Sequence, residues 1–148
     1  MQQLIFTTYV LGAKAASRLE KWQITQTIRS ESSSIVKAIL AGGLKVRNMM
    51  QVVLGDRMIG LAEYIGMDSI YWEYINLDDT KRGGFDSLAD LEQAVKRAGY
   101  RLRAVIYRIR FSWVKEKDYA VTLEQDDGEN KKEVRAYFTR LAKQPGRR

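Results

Sequence analysis

The chain of 148 residues carries 25 Lys and Arg against 18 Asp and Glu, a net charge of +7, with 45% hydrophobic and 10% aromatic residues. That length and apolar content suit a folded domain with one core and an appended element rather than a disordered chain. With no cysteine and no histidine, disulfides, thiol catalysis, His-ligated zinc and a Ser-His-Asp triad are excluded.

The start, Met1-Gln2-Gln3-Leu4, lacks the basic n-region and apolar core of a signal peptide. No apolar run approaches the roughly 20 residues of a transmembrane helix, so a soluble cytoplasmic protein without a membrane partner is expected. Residues 4–10 are β-branched and aromatic, predicting a first strand that Gly12 breaks. Residues 13–22 predict a short helix, with Ala15, Ala16 and Leu19 apolar and Lys14, Arg18 and Lys21 on a basic side. Thr25-Gln26-Thr27-Ile28-Arg29 then alternates as a strand, placing Thr25, Thr27 and Arg29 on one face and Gln26 and Ile28 on the other. Two hydroxyls and a guanidinium on one face can grip an anionic or base-like ligand without supplying a nucleophile. Lys21 and Trp22 add a cation and a stacking surface beside it, and Glu31 is placed to pair with or cap Arg29.

Residues 30–34 read as a turn in which Ser32, Ser33 or Ser34 caps a helix over 35–40, ended by Gly42-Gly43. Residues 49–54 and 58–64 predict strands around the turn Gly55-Asp56-Arg57. Gly60 marks a bulge or a close backbone approach. The extended pattern continues over 65–75, through Tyr71, Trp72 and Tyr74, to an acidic turn at Asp78-Asp79. Beyond Gly83-Gly84-Phe85, Ser87 and Asp90 form a capping signal for a helix striped by Leu88, Leu91, Ala94 or Val95, and Ala98, and ended by Gly99. Residues 100–114 predict a long strand with Val105, Tyr107, Ile109, Phe111 and Trp113 on one face and Ile106, Arg108 and Arg110 on the other. The arginines at 101, 103, 108 and 110 are read as solvated strand ends or partners of the acidic stretch 68–92, with phosphate tracking as the alternative. Asp78, Asp79, Asp86 and Asp90 suit a turn and a helix start rather than a metal site, and no cofactor is expected.

Residues 116–148 read as an extension with a strand-like segment, an acidic loop and a basic helix over 131–143. Residues 131–148 hold seven Lys and Arg against one Glu, so +6 of the net +7 resides there. Such a tail supplies non-specific, salt-dependent affinity for polyanions.

The order of these pieces resembles the ASCH domain of the PUA-like superfamily over roughly residues 4–114. Thr25 to Arg29 resembles the end of the family's Gly-x-Lys-Thr-x-Thr-x-Arg signature, which Ser30-Glu31-Ser32 continues. Val46-Arg47-Asn48 sits where the family has a Gly-Asp turn. Ile59-Gly60-Leu61-Ala62 resembles its Ile-Gly-x-Ala strand, and Gly83-Gly84-Phe85-Asp86-Ser87 its Gly-Phe-x-Ser helix start. The resemblance implies an α+β fold: a small mixed β-barrel with flanking helices over residues 1–115, followed by the extension 116–148. It also implies a role in RNA or modified-nucleoside transactions.

The chain departs from the signature at Trp22, where the family has glycine, and at Ile24, where it has lysine. Gly83 falls near the position where amidohydrolase-type members carry an acid. In that chemistry a lysine and an activated threonine attack an amide while a carboxylate moves protons. No catalytic residue is therefore assigned; in an enzyme, Thr27 with Lys21 as substitute amine would carry the reaction. The expected function is binding of RNA or another nucleic acid in the cleft beside this strand, through Lys21, Trp22, Thr25, Gln26, Thr27, Arg29, Ser32 and Arg47. The alternatives are a hydrolase in the same cleft, either an acylated-nucleoside amidohydrolase or a metal-dependent ribonuclease, and a protein-interaction module. Oligomeric state is left open.

Overall fold

The structure, a computed structural model, describes residues 1–101 and 104–115. The readings made for Leu102, Arg103 and the extension 116–148 lie outside the described residues.

Strand β1 (Gln2–Phe6) leads into helices α1 (Thr8–Leu11) and α2 (Ala13–Glu20), then strand β2 (Gln26–Ser30) and helix α3 (Ser34–Leu40). The hairpin β3 (Met49–Leu54) and β4 (Arg57–Tyr71) follows, then α4 (Leu77–Arg82), α5 (Leu88–Arg97) and β5 (Val105–Trp113). The strands form one sheet in the order β1-β3-β4-β5-β2. The β1–β3 pair is parallel and the other pairs are antiparallel. The sheet curls into a half-barrel with helices beside it, the α+β arrangement expected. Register shifts at Val52/Val53 and Tyr64/Gly66 are where extra residues let the long β4 bend. Because β1 and β2 are the two ends of the sheet order, both edges border the open side of the half-barrel. The core joins Leu4, Val52, Ala62, Ile106 and Ile109 of the sheet to Leu19, Val36, Leu91 and Val95 of the helices.

Several elements stand where the sequence puts them. Helix α5 starts at Ser87, whose hydroxyl accepts from Asp90 N at 3.2 Å. Ser33 is the N-cap residue of α3, without a side-chain bond. Gly60 is a site of close approach: a Cβ there would lie 3.1 Å from both the Trp22 and Trp113 indoles. Those indoles are stacked, with centroids 5.3 Å apart and planes within 2°.

Four expectations are corrected. The first strand does not run to Val10: it ends at Phe6, and the Thr7 hydroxyl accepts from Val10 N to start α1. A local hydroxyl–backbone bond of this kind turns an apolar stretch helical despite its β-branched composition. The acidic turn at Asp78-Asp79 is instead the first turn of α4. Asn76 Oδ1 accepts from Asp79 N at 2.9 Å, and Asp79 Oδ2 accepts from Asn76 N at 3.2 Å, a reciprocal capping box. The extended run before it breaks into a 3-10 turn at Trp72–Tyr74, and the last strand begins at Val105 rather than at residue 100.

Candidate functional site

A pocket of about 250 Å³ lies between the two sheet edges, with Ile5, Phe6 and Thr7 on one side and residues 26–29 of β2 on the other. Helices close it: Val10 and Leu11 from α1, Asp79 at α4 with Gly83 and Phe85 after it, and Leu91, Ala94 and Val95 from α5. Tyr100 completes the wall. Its charged lining residues are Arg29 and Asp79, and their surroundings differ.

Asp79 is 4% exposed and fully engaged. Oδ1 accepts from Gln26 Nε2 at 2.9 Å and from Arg108 Nη1 at 3.2 Å; Oδ2 accepts from Asn76 N at 3.2 Å and from the same Arg108 nitrogen at 3.4 Å. Arg108 also grips Asp68 with Nε and Nη2, at 2.8 and 2.5 Å. Paired bonds from a planar guanidinium stabilise a carboxylate strongly, and they hold the Asp68 carboxyl below its usual range against an opposing effect of burial. Arg110 donates to Gln26 Oε1 at 3.2 Å and lies 3.7 Å from Asp68 Oδ2. Gln26, 1% exposed, is thus held with its oxygen toward a guanidinium and its nitrogen toward a carboxylate. A flipped amide would reverse both contacts.

Arg29 is half-buried and has no carboxylate partner among the described residues. Its Nε donates to Thr27 Oγ1 at 3.2 Å, and its guanidinium carbon lies 4.7 Å from the centroid of the Phe6 ring. Burial lowers its pKa from the ordinary arginine value, an effect the nearby Tyr100 partly offsets. The expected Glu31 partner is not there: Glu31 is exposed, and Arg29 turns to Thr27 and Phe6 instead. The reason is that β2 ends at Ser30: alternation puts Thr27 and Arg29 on one face, and Glu31, next in that series, already lies in the turn beyond the strand.

Of the residues singled out in the sequence, the structure gathers Gln26, Thr27 and Arg29 at the pocket. Lys21, Trp22, Thr25, Ser32 and Arg47 do not line it. Lys21 is exposed at the end of α2. Trp22 stacks on Trp113 and donates its indole N–H to Ile59 O at 3.1 Å. Thr25 is exposed, with its backbone N–H on Arg82 O at 3.0 Å. Ser32 shares a hydroxyl bond with Ser30, and Arg47 lies 3.3 Å from Glu63. Gln26 and Ile28 reach the pocket despite being on the other face of the alternation, because an edge strand presents both faces to a cavity beside it. Asp79, Phe6 and Tyr100 are the contributors that sequence reasoning missed. The signal for Asp79 was available in Asn76 three residues before it, a capping pair read as a turn.

Ile24, at the position of the family's lysine, is completely buried. Gly84, with φ of +90°, passes so close that a Cβ on it would lie 2.8 Å from the Ile24 side chain. Gly83 lines the pocket, and the carboxylate there comes from Asp79, one helical turn earlier.

No family model and no curated protein matches the chain. Solved structures do. An ASCH domain from Lactobacillus crispatus superposes with a TM-score of 0.52 at 15% identity, covering 74% of this chain and 79% of that one. A DUF984 protein from Enterococcus faecalis superposes with a TM-score of 0.52 at 13% identity, over 77% and 81% of the respective chains. The fold is therefore ASCH-like, a small α+β arrangement, as the sequence motifs imply. Among the described residues no helix is long and apolar enough to cross a membrane.

Proposed function

We propose that the chain is a nucleic-acid-binding protein whose partner is RNA, and that the pocket between β1 and β2 admits one nucleotide of the bound strand. The observation that carries this reading is Arg29, a cation on the pocket wall whose neighbours are a hydroxyl and an aromatic ring rather than a carboxylate. Gln26 and Thr27 add polar contacts beside it, and Phe6 and Phe85 supply aromatic surface for a base. The ASCH-like fold is compatible with this use. Binding rather than catalysis is favoured because both Asp79 oxygens are occupied and the Thr27 hydroxyl accepts from Arg29 rather than facing a base. A hydroxyl without a neighbouring base is a weak nucleophile.

Fluorescence anisotropy with a labelled single-stranded RNA tests the reading. Arg29→Ala and Thr27→Ala are expected to weaken binding, Arg29→Ala by about tenfold or more, the loss typical of a charge-assisted contact. Affinity should fall steeply with added salt. Unchanged affinity in both variants, or complete loss on removing residues 131–148 alone, would place binding elsewhere.

A further inference from the structure

The pocket's hydrogen-bonding capacity is one-sided. Asp79, its carboxylate, has both oxygens filled by Gln26, Asn76 and Arg108, and its charge is balanced by Arg108 at 3.2 Å. Gln26 spends its oxygen on Arg110 and one N–H on Asp79, which leaves its second N–H. Thr27 accepts from Arg29, which leaves its hydroxyl proton to donate. Arg29 uses only Nε on protein, and its remaining N–H groups have no partner among the described residues. A guanidinium has no acceptor to offer. What remains free around Thr27 and Arg29 is therefore mainly donors, beside one lone pair of the Thr27 hydroxyl, with one uncompensated positive charge among them.

The rest of the wall is mostly apolar, with Phe6, Leu11, Phe85, Leu91 and Val95 facing the same space and Thr7 and Tyr100 at its margin. Its volume of about 250 Å³ matches roughly eight water molecules at their liquid density. That is room for a single ring and an attached charged group. An ammonium or a neutral donor-rich molecule would meet donors with donors. A dianion would bring one charge more than Arg29 neutralises into an apolar enclosure, which is costly.

We propose that this pocket binds a singly charged oxyanion, a carboxylate or phosphate oxygen, carried on a compact, largely apolar ring-sized body, with the oxyanion on Arg29 and Thr27. The inference shares its pocket with the RNA reading but does not depend on it. The same chemistry is offered by a free aryl acid and by one nucleotide of a chain, whose phosphodiester carries a single charge.

The test uses the full chain and three probes followed by thermal melting and calorimetry: benzoate, its neutral analogue benzamide, and a short single-stranded RNA. Benzoate is expected to raise the melting temperature and benzamide to leave it unmoved. Arg29→Gln should weaken benzoate binding at least tenfold. A second readout needs no substitution: in the arginine side-chain NMR spectrum, the Arg29 Nε–H signal should shift with benzoate while that of Arg108, already paired, stays in place. Competition separates the sources: RNA that displaces benzoate reaches the pocket through its own phosphodiester, and RNA that binds without displacing it leaves the pocket to a free acid. Equal binding of benzamide and benzoate, or benzoate shifts confined to other arginines, would overturn the proposal while leaving RNA binding to be judged by its own assay. Benzoate binding in a chain with no RNA affinity would overturn the RNA reading and keep this one.

Discussion

Arg29 and Phe6 meet across the open side of the half-barrel, guanidinium carbon 4.7 Å from ring centroid. They link two edge strands that share no backbone ladder. Such a contact contributes about 1 kcal/mol at a partly desolvated site, less than the several kcal/mol that an unpaired charge costs to bury. Arg29 is therefore a net burden on the free fold. Arg29→Met keeps the stem volume and removes the charge, so it should leave stability unchanged or raise it by about 1 kcal/mol while weakening anion and RNA binding about tenfold or more. Urea denaturation alongside anisotropy checks both halves. A loss of more than about 2 kcal/mol would mean that Arg29 is there for the structure.

Asp79 makes the opposite case. It joins α4 to β2 through Gln26 and to β5 through Arg108, and it caps its own helix through Asn76. Asp79→Asn keeps the shape and removes the charge that Arg108 faces in the interior. The expected loss is about 3 kcal/mol, the scale for breaking one side of a buried ion pair. Asn76→Ala, which removes only the cap, should cost about 1 kcal/mol. Equal effects in chemical denaturation would show that Asp79 matters only as a capping residue.

These two residues also show what the sequence disclosed. Thr27 and Arg29 were legible because a period of two puts them on one face, and the structure joins them by a hydrogen bond. The hairpin at Gly55, the helix after Ser87 and the close approach at Gly60 were legible from turn and capping chemistry. For Asp79 only the local cap with Asn76 was legible; its bonds to Gln26 and Arg108, 53 and 29 positions away, were not, because local patterning carries no trace of such distant pairs. The stacking of Trp22 on Trp113 was hidden for the same reason: Trp113 lies on the last described strand. Phe6 was hidden inside an apolar run read as one strand, though Thr7 ends that strand and leaves Phe6 at the pocket edge.

Asp68 sets the acid sensitivity of the network. Its carboxyl lies below the usual range in the folded chain, chiefly through its side-chain bonds from Arg108. A depressed folded-state pKa stabilises fully above the unfolded value, about 3.9 for aspartate, and that stabilisation is lost as pH falls through the folded value. Stability should therefore hold down to about pH 4 and decline below it. Asp68→Asn should flatten that decline, whereas Asp86→Asn, at a largely exposed cluster with Arg18 and Lys14 that is joined to no buried carboxylate among the described residues, should alter it less, since solvent screens such pairs. Thermal melting of the three proteins between about pH 5 and 2 makes the comparison. Superimposable curves for Asp68→Asn and the parent chain would remove Asp68 from the account.

The packing around Ile24 leaves no room for the lysine that the ASCH signature this strand resembles has at that position. The side chain is fully buried among Ala15, Gly84 and the β5 end, and Gly84 at φ of +90° already sits as close as a residue without Cβ permits. Trp113 anchors the same point by donating its indole N–H to Ile24 O at 2.7 Å. Lysine there would put an ammonium into a space with no room for hydration, a penalty of at least about 3 kcal/mol. Ile24→Val, which removes one methylene, should cost only about 1 kcal/mol. Both are measured by urea denaturation. If Ile24→Lys proved as stable as Ile24→Val, the pocket would have to open toward this position, and a catalytic role for an amine beside Thr27 would return to consideration.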